Sequence, residues 1–124
     1  MSGEVILVVE DNPMNSELVA DLLAAAGYKV VPADTAEEGL TLAESAHPNL
    51  ILMDISLPGM DGLEAARVLK RHPETGNIPI VALTAHAMNG DEAAALAAGC
   101  NGYITKPINT RTFVGTVESF IEAA

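Results

Sequence analysis

Residues 5–11 read Val-Ile-Leu-Val-Val-Glu-Asp, and this stretch decides the fold because five unbroken apolar residues stop abruptly at two acids. A run that is apolar at every position is typical of a strand buried on both faces, as in a parallel sheet covered by helices. Asn12 and Pro13 follow at once, and they predict a helix N-cap and a first helical residue. The stretch therefore predicts a β–α unit with acids at the carboxyl end of its strand.

The same alternation of apolar run and helical pattern recurs four more times along the chain. Strands are predicted at 5–9, 28–32, 50–53, 78–83 and 103–105, and helices begin near Asn12, Thr35, Asp61, Asn89 and either Asn109 or Thr110. Pro32 predicts either an edge position for the second strand or the end of that strand, since proline cannot donate to a strand ladder. Alternating elements of these lengths predict right-handed β–α–β units and an α/β fold with a doubly wound parallel sheet.

The first helix carries an apolar stripe that indicates which of its faces packs inward. Met14, Leu18 and Leu22 recur at four-residue spacing, and Val19 and Leu23 widen the stripe. Apolar residues at this spacing lie on one side of a helix. We therefore expect all five side chains to pack in the core.

Length, charge and cysteine content restrict the classes of function. The 124 residues predict a single domain spanning 1–124, and a net charge of -11 disfavours nucleic acid and anionic membrane surfaces as direct partners. The only cysteine, Cys100, excludes an internal disulfide, and it is expected to be a small core residue. The first residues have neither a basic segment nor a long apolar run, so no signal peptide is predicted and a cytoplasmic location is expected.

Polar side chains follow the predicted strands at the edge of the sheet where such folds place ligands. They are Glu10 and Asp11 after the first strand, Asp54 after the third, Thr84 after the fourth and Lys106 after the fifth. Taken singly, each residue is more commonly a turn, cap or surface side chain. Together, three crowded carboxylates favour binding of Mg²⁺, while a lysine neutralises charge on phosphoryl oxygens and a hydroxyl supplies a hydrogen-bond donor. The set predicts phosphoryl transfer to a carboxylate nucleophile, which forms an acyl phosphate.

Four motifs occur in order along the chain. They are Val-Val-Glu10-Asp11-Asn-Pro-Met-Asn, Leu-Met-Asp54-Ile-Ser-Leu-Pro58-Gly-Met-Asp-Gly62, Ile-Pro-Ile-Val-Ala-Leu-Thr84-Ala85 and Gly-Tyr103-Ile-Thr-Lys106-Pro107. With these motifs the chain resembles the receiver domain of bacterial two-component response regulators, from residue 5 to about 121. The resemblance implies a flavodoxin-like fold with five helices and a five-stranded sheet in the order 2-1-3-4-5.

The resemblance also implies a role for each site residue. Asp54 would be the phosphoacceptor, and Mg²⁺ would be bound by Glu10, Asp11, Asp54 and the Ser56 carbonyl. The phosphoryl group would be bound by Lys106, Thr84 and Ala85. Thr84 and Tyr103 would form the switch, and the peptide bond before Pro107 would be cis. Ser56 and His86 would flank the acyl phosphate and tune its lifetime. Thr84 would move toward the phosphoryl group, and Tyr103 would turn into the space that it leaves.

The resemblance implies partners as well as residues. A histidine kinase or a phosphotransfer protein would supply the phosphoryl group, and a downstream protein would bind the surface of the fourth helix, fifth strand and fifth helix. The chain would be a monomer or weak dimer, and it would be no enzyme beyond its own phosphorylation and dephosphorylation. Met1 and the ending soon after the last helix favour a stand-alone regulator.

Several alternatives to a stand-alone regulator stay open. The chain could be the receiver of a hybrid histidine kinase, whose motifs are similar. An aspartate-nucleophile phosphatase of the haloacid-dehalogenase type would carry Asp-x-Asp after the first strand, whereas Asp11 is followed by Asn12 and Pro13. A flavodoxin-like electron carrier would need a Ser/Thr/Gly loop there. A receiver that takes no phosphate would be expected to lack part of the acid trio, Thr84 or Lys106.

Overall fold

The structure is a computed structural model that describes residues 3–55, 62–84 and 91–123, with backbone alone at 91, 92 and 123. Its strands are β1 (Val5–Val9), β2 (Lys29–Ala33), β3 (Leu50–Asp54), β4 (Ile80–Thr84) and β5 (Gly102–Thr105). Its helices are α1 (Pro13–Ala25), α2 (Ala36–Ala46), α3 (Gly62–Arg71), α4 (Asp91–Ala97) and α5 (Phe113–Ala123). No helix in these ranges is long and apolar enough to cross a membrane.

The five strands form one parallel sheet in the order β2-β1-β3-β4-β5. This confirms the doubly wound α/β fold that the alternation of elements predicts. Pro32 lies in β2, at the edge of the sheet, as its missing N–H requires. Because all strands run in the same direction, their carboxyl ends lie along one edge, where the polar residues of the sequence motifs collect.

Helices cover both faces of the sheet and bury its aliphatic side chains. Ile6 and its alternate neighbours in the central strands pack against α1 and α5, where Phe113 is buried. Leu7 and its alternate neighbours pack against α2, α3 and α4. The two-residue alternation of a strand thus feeds two separate cores. Since β1, β3 and β4 are buried on both faces, their ends are rigid supports for a site.

Two helices begin at the polar residues that the sequence predicts. Asn12 Oδ1 accepts hydrogen bonds from the N–H groups of Met14 and Asn15, at 2.9 and 3.1 Å. Thr35 Oγ1 accepts one from Glu38 N–H at 3.1 Å, which confirms a capped start for α2. Each cap satisfies N–H groups that have no partner within the helix.

The predicted inner stripe of α1 is wrong for two of its residues. Val19 and Leu23 are buried, but Met14 is 81% exposed and Leu18 is 38% exposed. Successive residues are about 100° apart around a helix, so the face centred on Val19 and Leu23 cannot also bury Leu18 fully. Leu22 lies between these extremes and packs at the rim of the core. The helix therefore turns part of its apolar surface toward solvent.

Several element boundaries differ from the sequence-based expectation by a few residues. The second strand covers Lys29–Ala33 and the fourth begins at Ile80 rather than 78. The last helix begins at Phe113, because Asn109 first closes a turn in which its carbonyl accepts hydrogen bonds from Thr112 and Phe113. The predicted start of the fourth helix at Asn89 lies outside the described residues.

Candidate functional site

The candidate site lies at the carboxyl edge of the sheet, where β1, β3, β4 and β5 end. Glu10 and Asp11 follow β1, Asp54 is the last residue of β3, and Thr84 is the last of β4. Lys106 follows β5, and its N–H donates to the Thr84 carbonyl at 2.7 Å. The strand register therefore brings residues from four distant parts of the sequence to one place.

Lys106 joins two buried carboxylates. Its Nζ lies 2.8 Å from Glu10 Oε1 and 3.0 Å from Asp54 Oδ2. Glu10 is 1% exposed and Asp54 is 3% exposed, so both acids are held in a medium of low polarity where charges interact strongly. The contact with Asp54 is a hydrogen bond, whereas the contact with Glu10 Oε1 is a close ion pair without hydrogen-bond geometry.

The charges of this group perturb one another. Burial raises the pKa of Glu10, and its hydrogen bond with Asp54 raises it further against the opposing effect of Lys106. Burial alone would lower the pKa of Lys106, but the nearby carboxylates of Glu10 and Asp54 outweigh burial and raise it. The lysine is therefore held as a cation, while burial disfavours the charged form of Glu10.

Three acids at this edge fit a divalent metal ion. Glu10, Asp11 and Asp54 each offer a carboxylate oxygen, and these oxygens lie within 4.8 Å of one another. Glu10 Oε1 is buried and accepts no hydrogen bond from the described part of the chain, so it has lone pairs left for a ligand. Asp11 is exposed, which leaves one side of the group open to water. A hard cation that takes oxygen ligands and keeps some waters, such as Mg²⁺, suits this arrangement.

The structure places the two residues of the implied switch on the same face of the sheet. Tyr103 pairs with Ala82 in the β4–β5 ladder, and Thr84 pairs with Thr105, so Thr84 and Tyr103 are two residue positions apart on that face. Thr84 is fully buried, whereas Tyr103 is 39% exposed. The ring is therefore at the surface, beside the site but not in it.

The remaining predicted site residues are only partly placed. The Lys106–Pro107 peptide bond is cis, as the resemblance implies. Ser56, Ala85 and His86 lie outside the described residues, so their roles stay predictions. The contact between Gly62 and the main chain of Asp54 is not predictable from the sequence, although Gly62 is the first residue of the helix that follows β3.

A second group of titratable side chains lies between α2 and the turn after α3. Glu44, His72 and Glu74 bring possible ligand atoms within 4.8 Å of one another, a grouping that histidine spacing in the sequence does not predict. Both ring nitrogens of His72 are already engaged: Nε2 lies 3.5 Å from Glu44 Oε1, and Nδ1 accepts from Glu74 N–H at 3.3 Å. His72 therefore links α2 to the turn after α3, and it has no ring nitrogen left for a metal ion.

Cys100 has the role that the sequence predicts. Its thiol is buried, and burial raises its pKa to about 11. A thiol that stays protonated at neutral pH is a weak nucleophile and a poor metal ligand. The residue therefore contributes packing rather than chemistry.

Comparisons with known proteins agree with the fold. A family model described as the response regulator receiver domain matches residues 6–118. The chain is 44% identical over 116 residues to the polar-differentiation response regulator DivK of Brucella ovis, and the match covers 94% of each protein.

Two solved structures extend the comparison to three dimensions. The chemotaxis response regulator CheY4 of Vibrio cholerae has a TM-score of 0.90 at 27% identity, with 96% of this chain and 99% of that chain covered. The receiver domain of sensor histidine kinase PA1611 from Pseudomonas aeruginosa has a TM-score of 0.90 at 35% identity, with 98% and 99% covered. That receiver domain has a magnesium ion coordinated in its active-site cleft.

Proposed function

This chain belongs to the response regulator receiver family of two-component signalling, and we propose that it is a switch that accepts a phosphoryl group on Asp54. The observation that supports this most directly is the position of Lys106 between the buried carboxylates of Glu10 and Asp54. A carboxylate at a strand end, with a fixed cation 3.0 Å away and two further acids beside it, matches the needs of phosphoryl transfer. We propose that residues 1–124 form this one domain.

The proposed reaction is transfer from a phosphohistidine of a kinase or phosphotransfer protein. An Asp54 carboxylate oxygen attacks phosphorus, an acyl phosphate bond forms, and the phosphorus–nitrogen bond breaks as the histidine leaves. Glu10, Asp11, Asp54 and the Ser56 carbonyl would hold Mg²⁺, which would supply positive charge for the phosphoryl oxygens. Lys106 supplies a second positive charge. The hydrogen bond from its backbone N–H to the Thr84 carbonyl fixes the main chain from which the lysine side chain extends.

The phosphoryl group then biases two states of the domain. It adds about -1.5 to -2 charges and three acceptor oxygens near Thr84. We propose that the Thr84 hydroxyl and the Ala85 N–H bind these oxygens, and that Tyr103 turns inward as Thr84 moves. Because Tyr103 lies in β5, the change alters the surface of α4, β5 and α5, where a downstream protein binds.

The context of the domain is also a proposal. The chain is similar both to the response regulator DivK, at 44% identity, and to the receiver domain of sensor histidine kinase PA1611, at 35% identity. We propose a stand-alone regulator, with the receiver of a hybrid histidine kinase as the alternative. We expect a cytoplasmic monomer or weak dimer that catalyses only its own phosphorylation and dephosphorylation. Its net charge of -11 favours protein partners over nucleic acid.

The decisive experiment is labelling by acetyl phosphate with Mg²⁺, followed by electrophoresis that retards phosphorylated protein. Asp54→Asn removes the nucleophile, so we expect no labelled protein. Asp34→Asn is the matched control, because Asp34 also follows a strand but is exposed and lies outside the acid trio, and it should label normally. Undiminished labelling of Asp54→Asn would show that another residue is the phosphoacceptor.

A further inference from the structure

Gly62, the first residue of α3, lies directly against the main chain of the phosphoacceptor. A Cβ at this position would be 2.3 Å from the Asp54 carbonyl oxygen and 2.7 Å from Cα of Ile55. We propose that Gly62 is a positioning residue: its missing side chain lets α3 close on the peptide between Asp54 and Ile55 and so fixes the Asp54 carboxylate. This inference rests on the proposed phosphoacceptor role of Asp54.

The helix itself has no freedom to retreat from a larger side chain. Ala65, Ala66 and Leu69 of α3 are buried in the core shared with α2 and α4. The far end of the helix is tied to the following turn, because the buried Thr75 hydroxyl donates to the Leu69 carbonyl at 2.7 Å. Lys70 Nζ also donates to the Ile78 carbonyl at 2.8 Å. Moving α3 outward would open cavities and break these bonds.

The Asp54–Ile55 peptide is held from the opposite side by β4. Asp54 pairs with Leu83 in the ladder, and Ile55 N–H donates to the Leu83 carbonyl at 3.2 Å. A side chain at position 62 therefore displaces a peptide confined between α3 and the sheet. Because Asp54 Oδ2 is 3.0 Å from Lys106 Nζ, a shift of this peptide alters the distances on which transfer depends. Misplacement of about 1 Å can slow a reaction roughly 100-fold.

Two other glycines provide matched controls. A Cβ at Gly102 would lie 2.3 Å from the Phe120 ring, so the overlap is equally close. Gly102 begins β5, however, so it lies at the opposite end of that strand from Lys106. Its close neighbour is also the side chain of Phe120, whereas the close neighbours of Gly62 are main-chain atoms. A Cβ at Gly115 in α5 would meet no atom of the described residues within 4 Å. Gly102→Ala therefore measures the effect of a steric overlap that destabilises the fold away from the site. Gly115→Ala measures the effect of replacing a helical glycine with alanine where there is no overlap.

The experiment compares Gly62→Ala, Gly102→Ala and Gly115→Ala with the wild type in three measurements. Urea denaturation gives the folded fraction, calorimetry gives the Mg²⁺ dissociation constant, and acetyl phosphate gives the labelling rate per folded molecule. We expect Gly62→Ala to label roughly 10- to 100-fold more slowly and to bind Mg²⁺ more weakly. Both control variants should match the wild type per folded molecule, even though Gly102→Ala is less stable.

The possible outcomes separate this inference from the proposed function. Wild-type rate and Mg²⁺ affinity in folded Gly62→Ala, or an equal loss in Gly102→Ala, would overturn the positioning role. A stabilising osmolyte is added to all variants if Gly62→Ala unfolds in buffer. Failure of Gly62→Ala alone to fold there would also overturn it, since the glycine would then serve the fold and not the site. If the wild type itself is not labelled at Asp54, the proposed function fails, and Mg²⁺ affinity alone decides on Gly62.

Discussion

Thr84 is the residue through which the proposed chemistry and the proposed surface change are connected. It is buried at the end of β4, its carbonyl accepts from Lys106 N–H, and its side chain is on the same face of the sheet as Tyr103. Asp54 and Lys106, by contrast, contact each other directly. Catalysis and signalling are thus assigned to different side chains of one cluster, which makes them separable by substitution.

Thr84→Ala should leave labelling within about fivefold of wild type, because one hydrogen bond contributes only about 1 kcal/mol. The variant should, however, lose the phosphorylation-dependent change of Tyr103, since the hydroxyl that moves is absent. Acetyl phosphate labelling and NMR signals of the Tyr103 ring measure the two effects. Thr41→Ala, which removes an exposed hydroxyl on α2, is the control. A normal Tyr103 response in Thr84→Ala would contradict the switch.

At the scale of elements, two helical glycines with opposite surroundings test how tightly the helices pack. Gly115 in α5 has open space around it, so Gly115→Ala should raise the free energy of unfolding by about 0.5–1 kcal/mol. A Cβ at Gly39 in α2 would lie 2.8 Å from Val9 Cγ2, so Gly39→Ala should lower it by about 1–3 kcal/mol. Urea denaturation measures both, and a shift of the same sign in the two variants would contradict this account of the packing.

The strands were largely predictable from the sequence because β1 is apolar throughout, and β3 and β4 are apolar up to their last residues, Asp54 and Thr84. The face of α1 that packs against the sheet was not predictable in this way. Met14 and Leu18 have helical spacing with Leu22, yet the sheet selects the face of Val19 and Leu23. Exposure of single apolar side chains carries little penalty, so the pattern alone cannot choose between overlapping stripes.

The start of α5 and the contact of Gly62 with Asp54 show a second limit. Helix signals placed α5 near Asn109 or Thr110, but a turn that Asn109 closes delays it to Phe113. The approach of Gly62 to the Asp54 carbonyl depends on how α3 docks on β3. Contacts between distant elements of this kind have no local sequence pattern, whereas the acid trio and Lys106 follow from strand ends meeting at one edge.

At the scale of the whole molecule, the charge of -11 and the acid trio respond differently to added salt. Any electrolyte screens repulsion among the 17 acidic side chains and so stabilises the fold. A specific Mg²⁺ site adds about 1.4 kcal/mol for each tenfold rise in free Mg²⁺ above its dissociation constant. Comparing MgCl₂ with NaCl at equal ionic strength therefore separates site binding from screening.

Asp11 is the best residue with which to test that separation. It belongs to the acid trio but is exposed. The Lys106 ammonium group pairs with Glu10 and Asp54, so replacing Asp11 leaves both of these ion pairs in place. Asp11→Asn should keep the NaCl response and lose most of the Mg²⁺-specific stabilisation, while Asp34→Asn should keep both. Urea denaturation across a Mg²⁺ series measures the difference. If the free energy of unfolding of Asp11→Asn rises with Mg²⁺ concentration as steeply as that of the wild type, Asp11 is not a metal ligand and responds to salt through charge screening alone.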